Sequence, residues 1–303
     1  MSLVRVTRPV MDARSNRVVS HDIVHLESDG LRLQGVLVTP AGFSGPRPAV
    51  VMSHGWSGAV NHRVLPLADL LARAGYVSLA LDHRGFGGSE GVRGRSEPAE
   101  QARDVSAAAR WLAGRDDVDG TAIGVLGASF GGAIAIASAA RDDFLRACVA
   151  IVPVGDGERW LSGLHGDAWA GLRTRAEADP AARVELPSMM PMPDTEPARA
   201  EAELMRQAQP AGYPLENALL AAAFSPESES AAIAPRALCV IATEDDSVVP
   251  VEQAKRVHAA AGEPKELHLL PQGDHGGPLG PLVETTAEIV LAFFDRHLAG
   301  VRA

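Results

Sequence analysis

"VLGASFGGAIAIASAA", residues 125–140, sets one hydroxyl inside a bracket of glycines. Val125 and Leu126 lead in as the end of an apolar strand, Gly127, Gly131 and Gly132 surround Ser129, and an alanine-rich run of helical character follows. A serine on a sharp strand-to-helix turn has a strained backbone, and side chains at 127 or 131 would collide with the adjoining strand and helix; glycine removes them. The helix that follows turns its first amides toward any negative charge developing beside the hydroxyl. Gly127-Ala128-Ser129-Phe130-Gly131 matches G-x-S-x-G, a pattern that a tight packing turn also satisfies, so its meaning depends on what the rest of the chain supplies.

Outward from this stretch, strands and helices alternate. Residues 18–38, "VVSHDIVHLESDGLRLQGVLV", alternate apolar positions on either side of "SDG" and predict a hairpin. "PAVVMSHG" is a continuous apolar run, "HRVLPLADLLARAG" has helical spacing, "YVSLALD" is strand-like and "EPAEQARDVSAAARWLAG" is helical again. After the serine come the strand "ACVAIVPV" and, further on, "ALCVIAT", a helix over "VEQAKRVHAAAG", the strand "KELHLLP" and a last helix over "LVETTAEIVLAFFDRHLAG". Continuous apolar strands joined by helices predict an α/β protein whose parallel sheet is covered on both faces. Between about Gly155 and Ala232 the alternation stops, and Trp160, Trp169, Met189, Met190 and Met192 appear among prolines and charged stretches. That segment reads as an insertion, dividing the chain into a core of 1–154 and 233–303 and a lid of 155–232.

Composition narrows the function. The 303 residues carry a formal charge of -10, which argues against a nucleic-acid binder, since phosphate contacts need clustered Lys and Arg. No apolar run reaches the roughly 18 residues a membrane helix needs, and "MSLVRVTRPVMDARSNR" offers no apolar signal core, so no membrane partner and a cytoplasmic location are expected. Cys148 and Cys239 each sit in an apolar strand and are read as core residues. The polar arm before Val18 is read either as a contact with a second copy of the chain, giving a homodimer, or as a disordered tail; composition does not choose between them.

A serine hydroxyl is a weak nucleophile near neutral pH and needs a general base and a carboxylate to orient it. The chain supplies both downstream, at strand ends: Asp246 in "TEDDSVVP" and His275 in "QGDHGGP". Glycines on both sides of His275 let the chain turn and present the ring. Asp246 is favoured as the acid, with Asp245 and Asp156 as alternatives. Of the other histidines, His21 and His25 fall in the hairpin and His258 and His297 in helices, and none forms H-E-x-x-H; no metal or cofactor is expected. A tetrahedral intermediate needs two amides aimed at its oxyanion. These are assigned to Phe130, after the serine, and Trp56, in the loop "SHGWSG" (53–58), where His54 is read as a structural hydrogen-bonding residue.

"SHGWSG", "GYVSLALDHRGFGGSEG", "GVLGASFGG", "TEDDSVVP" and "GDH" occur in the order and at the spacings of the α/β-hydrolase superfamily, which the chain resembles over most of its length outside the insertion. Within it, the chain is similar to bacterial dienelactone-hydrolase-like and X-prolyl-dipeptidyl-peptidase-like proteins. The resemblance implies a mostly parallel eight-stranded sheet with an N-terminal antiparallel hairpin, helices on both faces and an inserted helical lid. It further implies a Ser129-Asp246-His275 triad acting through an acyl-enzyme on an ester-like bond of a small or medium-sized substrate, with Trp160, Trp169 and the methionines as pocket wall. Thr243 stands where the acid loop often has glycine, which leaves Asp245 and Asp246 both open. Ser129 rather than cysteine removes the thiol chemistry of dienelactone hydrolases proper. Asp82, Arg84 and Gly85 are read as a structural turn. Three rivals share the residues: hydrolysis of a carbon–carbon bond in a β-diketone, acyl transfer to an alcohol or amine, and a non-catalytic small-molecule receptor.

Overall fold

A computed structural model of the chain describes residues 19–56, 64–185 and 212–298. The expected N-terminal arm, Ser57 and Gly58 of the oxyanion loop, and Met189, Met190 and Met192 lie outside the described residues.

Strands β1 (Val19–Ser28) and β2 (Leu31–Pro40) form the hairpin, closed by Asp29 and Gly30, whose φ values of 49° and 77° are those a two-residue hairpin turn requires. They continue into β3 (Arg47–Ser53), β4 (Val77–Leu81), β5 (Val118–Ala128), β6 (Ala147–Ile151), β7 (Arg183–Val184), β8 (Tyr213–Pro214), β9 (Ala237–Thr243) and β10 (Lys265–Leu270). Eight of these build one sheet in the order β1-β2-β4-β3-β5-β6-β9-β10, antiparallel at β1–β2 and β2–β4 and parallel from β4 onward, as expected. β7 and β8 pair separately, in the segment between β6 and β9.

The helices are α1 (Leu65–Arg73), α2 (Pro98–Ala113), α3 (Phe130–Arg141), α4 (Gly157–His165), α5 (Trp169–Ala178), α6 (Glu216–Ala222), α7 (Pro226–Glu229), α8 (Val251–Ala260) and α9 (Val283–His297). Burial on both faces explains the unbroken apolar strands. Val125 of β5, Cys148 of β6 and Val240 of β9 join Leu112 of α2, Ile134 of α3 and Val257 of α8 in one core. Leu126, Val149 and Cys239 face the other way, onto Leu67 and Leu71 of α1 and Phe293 and Phe294 of α9. Cys148 and Cys239 therefore lie on opposite faces of the sheet as free, buried thiols. α3 is buried along nearly its whole length, which suits its run of alanine and isoleucine, since a helix apolar on all sides must be enclosed.

The turn after β4 is structural, as read. Arg84 closes on the buried Asp104 of α2 at 2.6 Å and reaches Asp29 in the hairpin turn at 2.9 Å. The Asp82 carboxylate accepts the Gly88 amide at 3.1 Å and fills the space that a Cβ on Gly87 would need. The segment between β6 and β9 is fastened to the rest of the chain at several points. Asn217 accepts the Ser96 amide and donates to Gly94, and Gln253 of α8 accepts the amides of Gly155 and Asp156.

Candidate active site

β5 ends at Ala128 and α3 begins at Phe130, leaving Ser129 alone in the turn with φ 58° and ψ -125°. An L-residue rarely adopts this conformation, and it persists because the surroundings over-determine it. The Ser129 amide donates to Ile151 at the end of β6 at 2.8 Å, and its carbonyl accepts the Gly132 amide at 2.9 Å. The glycines answer to sterics as predicted. A Cβ on Gly127 would lie 2.0 Å from the Gly131 carbonyl oxygen, and one on Gly131 would lie 2.3 Å from the His54 carbonyl oxygen.

Three residues far apart in sequence meet at this turn. His275 Nε2 lies 2.9 Å from Ser129 Oγ, and His275 Nδ1 lies 2.8 Å from Asp246 Oδ2. The Asp246 side chain is almost wholly enclosed at 1% exposure, while that of His275 is 17% exposed. The remaining Asp246 oxygen accepts the amides of Val248 and Val249 at 2.9 and 2.7 Å, which fixes the carboxylate in place beside the imidazole. With Nδ1 donating to that carboxylate, neutral imidazole leaves Nε2 as the acceptor facing the serine hydroxyl.

The two alternative acids are placed elsewhere. Asp156 caps α4, its carboxylate accepting the Arg159 amide at 2.9 Å. Asp245 turns to the neighbouring loop and accepts the amides of Gly273 and Asp274. The Asp274 carboxylate accepts the Ser247 amide and hydroxyl and the His275 amide; burial alone would raise its pKa, but these bonds outweigh it and hold the pKa below the usual carboxylate range. Sequence reading missed Asp274 and Ser247, although Asp274 stands directly before the singled-out histidine.

The loop after β3 runs beside the serine. A Cβ on Gly55 would be 3.6 Å from Ser129 Cβ, so the residue before Trp56 lies directly beside the serine turn. Phe130 opens α3, where the first amides have no intrahelical acceptor. His54 shapes this loop as expected: Nδ1 donates to the Gly55 carbonyl at 2.8 Å and Nε2 accepts the His83 amide at 3.2 Å. His83, unremarked in the sequence, stacks edge-on against His54 at 4.7 Å and meets Ser53 Oγ at 2.7 Å. Burial pushes both imidazoles toward their neutral forms, and for His83 the nearby His54 and Arg84 push the same way.

Trp160 and Trp169 differ in placement. Trp160 is 2% exposed, its ring packs on Trp56 at 5.2 Å and Phe130 at 6.2 Å, and its indole N–H donates to the Val248 carbonyl at 3.0 Å. It therefore ties α4 to both the loop carrying Trp56 and the loop carrying Val248. Trp169 stacks on His165 and donates to Glu158, so its ring and hydrogen-bond partners both lie on α4.

Among the described residues, Cys239, Glu266 and His268 hold metal-ligand atoms within 4.8 Å of one another. Glu266 is already bonded to His268 at 3.0 Å and to Arg296 at 2.5 Å, and burial pushes the Cys239 thiol up, away from the thiolate a metal requires. The donor set fits an ion-pair cluster better than a metal centre.

A family model described as "Serine aminopeptidase, S33" matches residues 44–277, a segment that contains all three hydrogen-bonded residues. The chain belongs to this family of α/β-hydrolases. The match is to that family and superfamily rather than specifically to the dienelactone-hydrolase-like group. An uncharacterized 31.7 kDa protein of Escherichia coli is 32% identical over 38% of this chain and 41% of its own length. A thiohydrolase, aneE, of Aspergillus aculeatus is 34% identical over 44% of this chain and 41% of its own. The chain thus spans less than half the length of these curated relatives. The polyketide transferase grgF of Penicillium sp is 27% identical over 92% of this chain and 97% of its own. The crystal structure of that α/β-hydrolase superposes with a TM-score of 0.75 at 24% identity, covering 92% of this chain and 99% of the other, and so shares the fold. No helix among the described residues is long and apolar enough to cross a membrane.

Proposed function

We propose that the chain is a serine hydrolase that cleaves an ester-like bond, a carboxylic ester or thioester, in a small or medium-sized substrate. The observation that carries this reading is the hydrogen-bonded series Ser129 Oγ, His275 Nε2, His275 Nδ1, Asp246 Oδ2, with separations of 2.9 and 2.8 Å. In this reading His275 Nε2 takes the Ser129 proton as Oγ attacks the carbonyl carbon, and Asp246 holds the imidazolium that forms. The amides of Trp56 and Phe130 receive the oxyanion. His275 then gives the proton to the leaving alcohol or thiol as the acyl-enzyme forms. A water molecule, deprotonated by the same nitrogen, attacks the acyl carbon; collapse expels Ser129 Oγ, which regains its proton from His275, and the acid departs.

Residues 155–232 act as a lid in this account. Trp160 supports that part because it joins α4 to the loops carrying Trp56 and Asp246. The thiohydrolase relative makes thioesters a natural part of the substrate panel. A second reading, transfer of the acyl group to an alcohol or amine, is favoured by the polyketide transferase that aligns with 92% of the chain. Chromatography of products from short acyl esters and thioesters, with and without added acceptor, tests both. Free acid as the main product supports hydrolysis. Acceptor conjugates that replace the acid support transfer, and no turnover by folded protein argues for a receptor.

A further inference from the structure

His275 sits in a loop rich in glycine, and such a loop does not by itself hold an imidazole to within a few tenths of an ångström of two partners. We propose that Asp245 and Asp274 form a reciprocal clamp that sets the Asp246–His275 hydrogen bond, which makes both of them positioning residues. The proposal rests on the serine-hydrolase reading of the same site.

Asp245 immediately precedes Asp246, and its two carboxylate oxygens accept the amides of Gly273 and Asp274 at 3.1 and 2.9 Å, one oxygen to each. Asp274 immediately precedes His275, and one of its carboxylate oxygens, Oδ1, reaches back to accept the Ser247 amide at 2.9 Å and the Ser247 hydroxyl at 2.8 Å. The same oxygen accepts the His275 amide at 2.8 Å. Thr243, the last residue of β9, adds a bond from its hydroxyl to the Asp274 carbonyl at 2.9 Å. Each loop therefore grips the backbone of the other on both sides of Asp246 and directly before His275. Backbone-directed bonds fix Cα positions, and Cα positions decide whether two short side chains meet at hydrogen-bond distance.

The backbone at the clamp supports a selected arrangement. Gly273 has φ +136°, and Asp274 has φ 50°, in the left-handed region where Asp and Asn are the side chains best tolerated. Asparagine at 274 would keep both the backbone conformation and the single oxygen that accepts all three bonds. Glycine would keep the conformation and remove the acceptor, whereas alanine would add backbone strain and confuse the result.

The test is the rate at which a fluorophosphonate modifies Ser129 in the full chain, read by intact mass, alongside the thermal midpoint. Asp274→Gly and Asp245→Ala are each expected to slow labelling on the order of tenfold, since small misplacements of catalytic groups have effects of this size. Their thermal midpoints should stay near that of the parent, and Asp274→Asn should recover most of the rate. Adding Asp274→Gly to Asp246→Asn should slow labelling no further than Asp246→Asn alone, because the bond being positioned is already gone. Parent-like labelling in both Asp274→Gly and Asp245→Ala would overturn the proposal, as would a double variant in which the two losses simply multiply. A parent that is not labelled at Ser129 would count against the hydrolase reading instead. The clamp is then judged by the downfield proton resonance of His275 Nδ1–H, assigned by its loss in His275→Gln. That resonance should be lost or shifted in Asp274→Gly and kept in Asp274→Asn, and one unchanged in the glycine variant refutes the clamp.

Discussion

At Gly131 a hydrogen atom is all that fits between the turn and the strand beside it. A methyl group there would press on backbone, 2.3 Å from the His54 carbonyl oxygen and 2.4 Å from that of Ser53, and backbone cannot swing aside as a side chain can. Gly131→Ala is therefore expected to lower stability by about 3 kcal/mol or more in urea unfolding. Gly163 is the internal control. It lies within α4 with nothing within 4 Å of an added Cβ, so Gly163→Ala should raise stability by about 0.5–1 kcal/mol. A tolerant Gly131→Ala would contradict the steric reading of the turn at Ser129. The serine, the histidine and the preferred aspartate were legible because a strand-end position, a glycine bracket and chain order are all properties of sequence. Asp274 and Ser247 were not, because their bonds run from side chain to backbone between loops that the sequence does not show to be adjacent.

Buried histidines give a second expectation at this scale. His83 and His54 titrate below the ordinary value because burial disfavours their charged forms. The unfolded chain takes up protons near about pH 6.5, where the folded chain still refuses them. Stability is thus complete above that pH and declines below it, by up to about 1.4 kcal/mol per pH unit for each ring. Unfolding free energies measured at about pH 7.5 and about pH 5.5 should show this loss in the parent and a smaller one in His83→Gln. Equal losses in the two proteins would contradict it.

At the scale of elements, the sheet and its flanking helices follow from periodicity, while their attachments follow from single polar residues. α2 is held to the turn after β4 by Arg84 and Asp104, whose side chains are 9% and 0% exposed. Removing one partner of a buried pair leaves an uncompensated charge, so Asp104→Ala should cost about 3 kcal/mol, moderated by the remaining Asp29 contact. Chemical denaturation measures it, and a loss below experimental error would show that the pair is dispensable. The reading of 82–85 as structural was available because its glycines matched no nucleotide motif, whereas the identity of the partner, Asp104 on α2, depended on packing. Trp160 illustrates the same limit. Its sequence position marked it as lid or pocket material, and only the bond to Val248 and the rings of Trp56 and Phe130 show which loops it joins.

For the whole molecule, the consequence of the parallel sheet is that β5, β9 and β10 end on one edge and release Ser129, Asp246 and His275 into the same space. Ser129 and His275 are 146 residues apart in the chain and 2.9 Å apart at the site. The segment between β6 and β9 meets the loops at this edge through Trp160 of α4. The central claim is that Ser129 is the nucleophile, and intact-mass measurement after exposure to a fluorophosphonate tests it most directly. The account predicts one adduct on the parent, mapped to Ser129, and none on a folded Ser129→Ala. An adduct that persists in Ser129→Ala, or a folded parent that takes none, would contradict it.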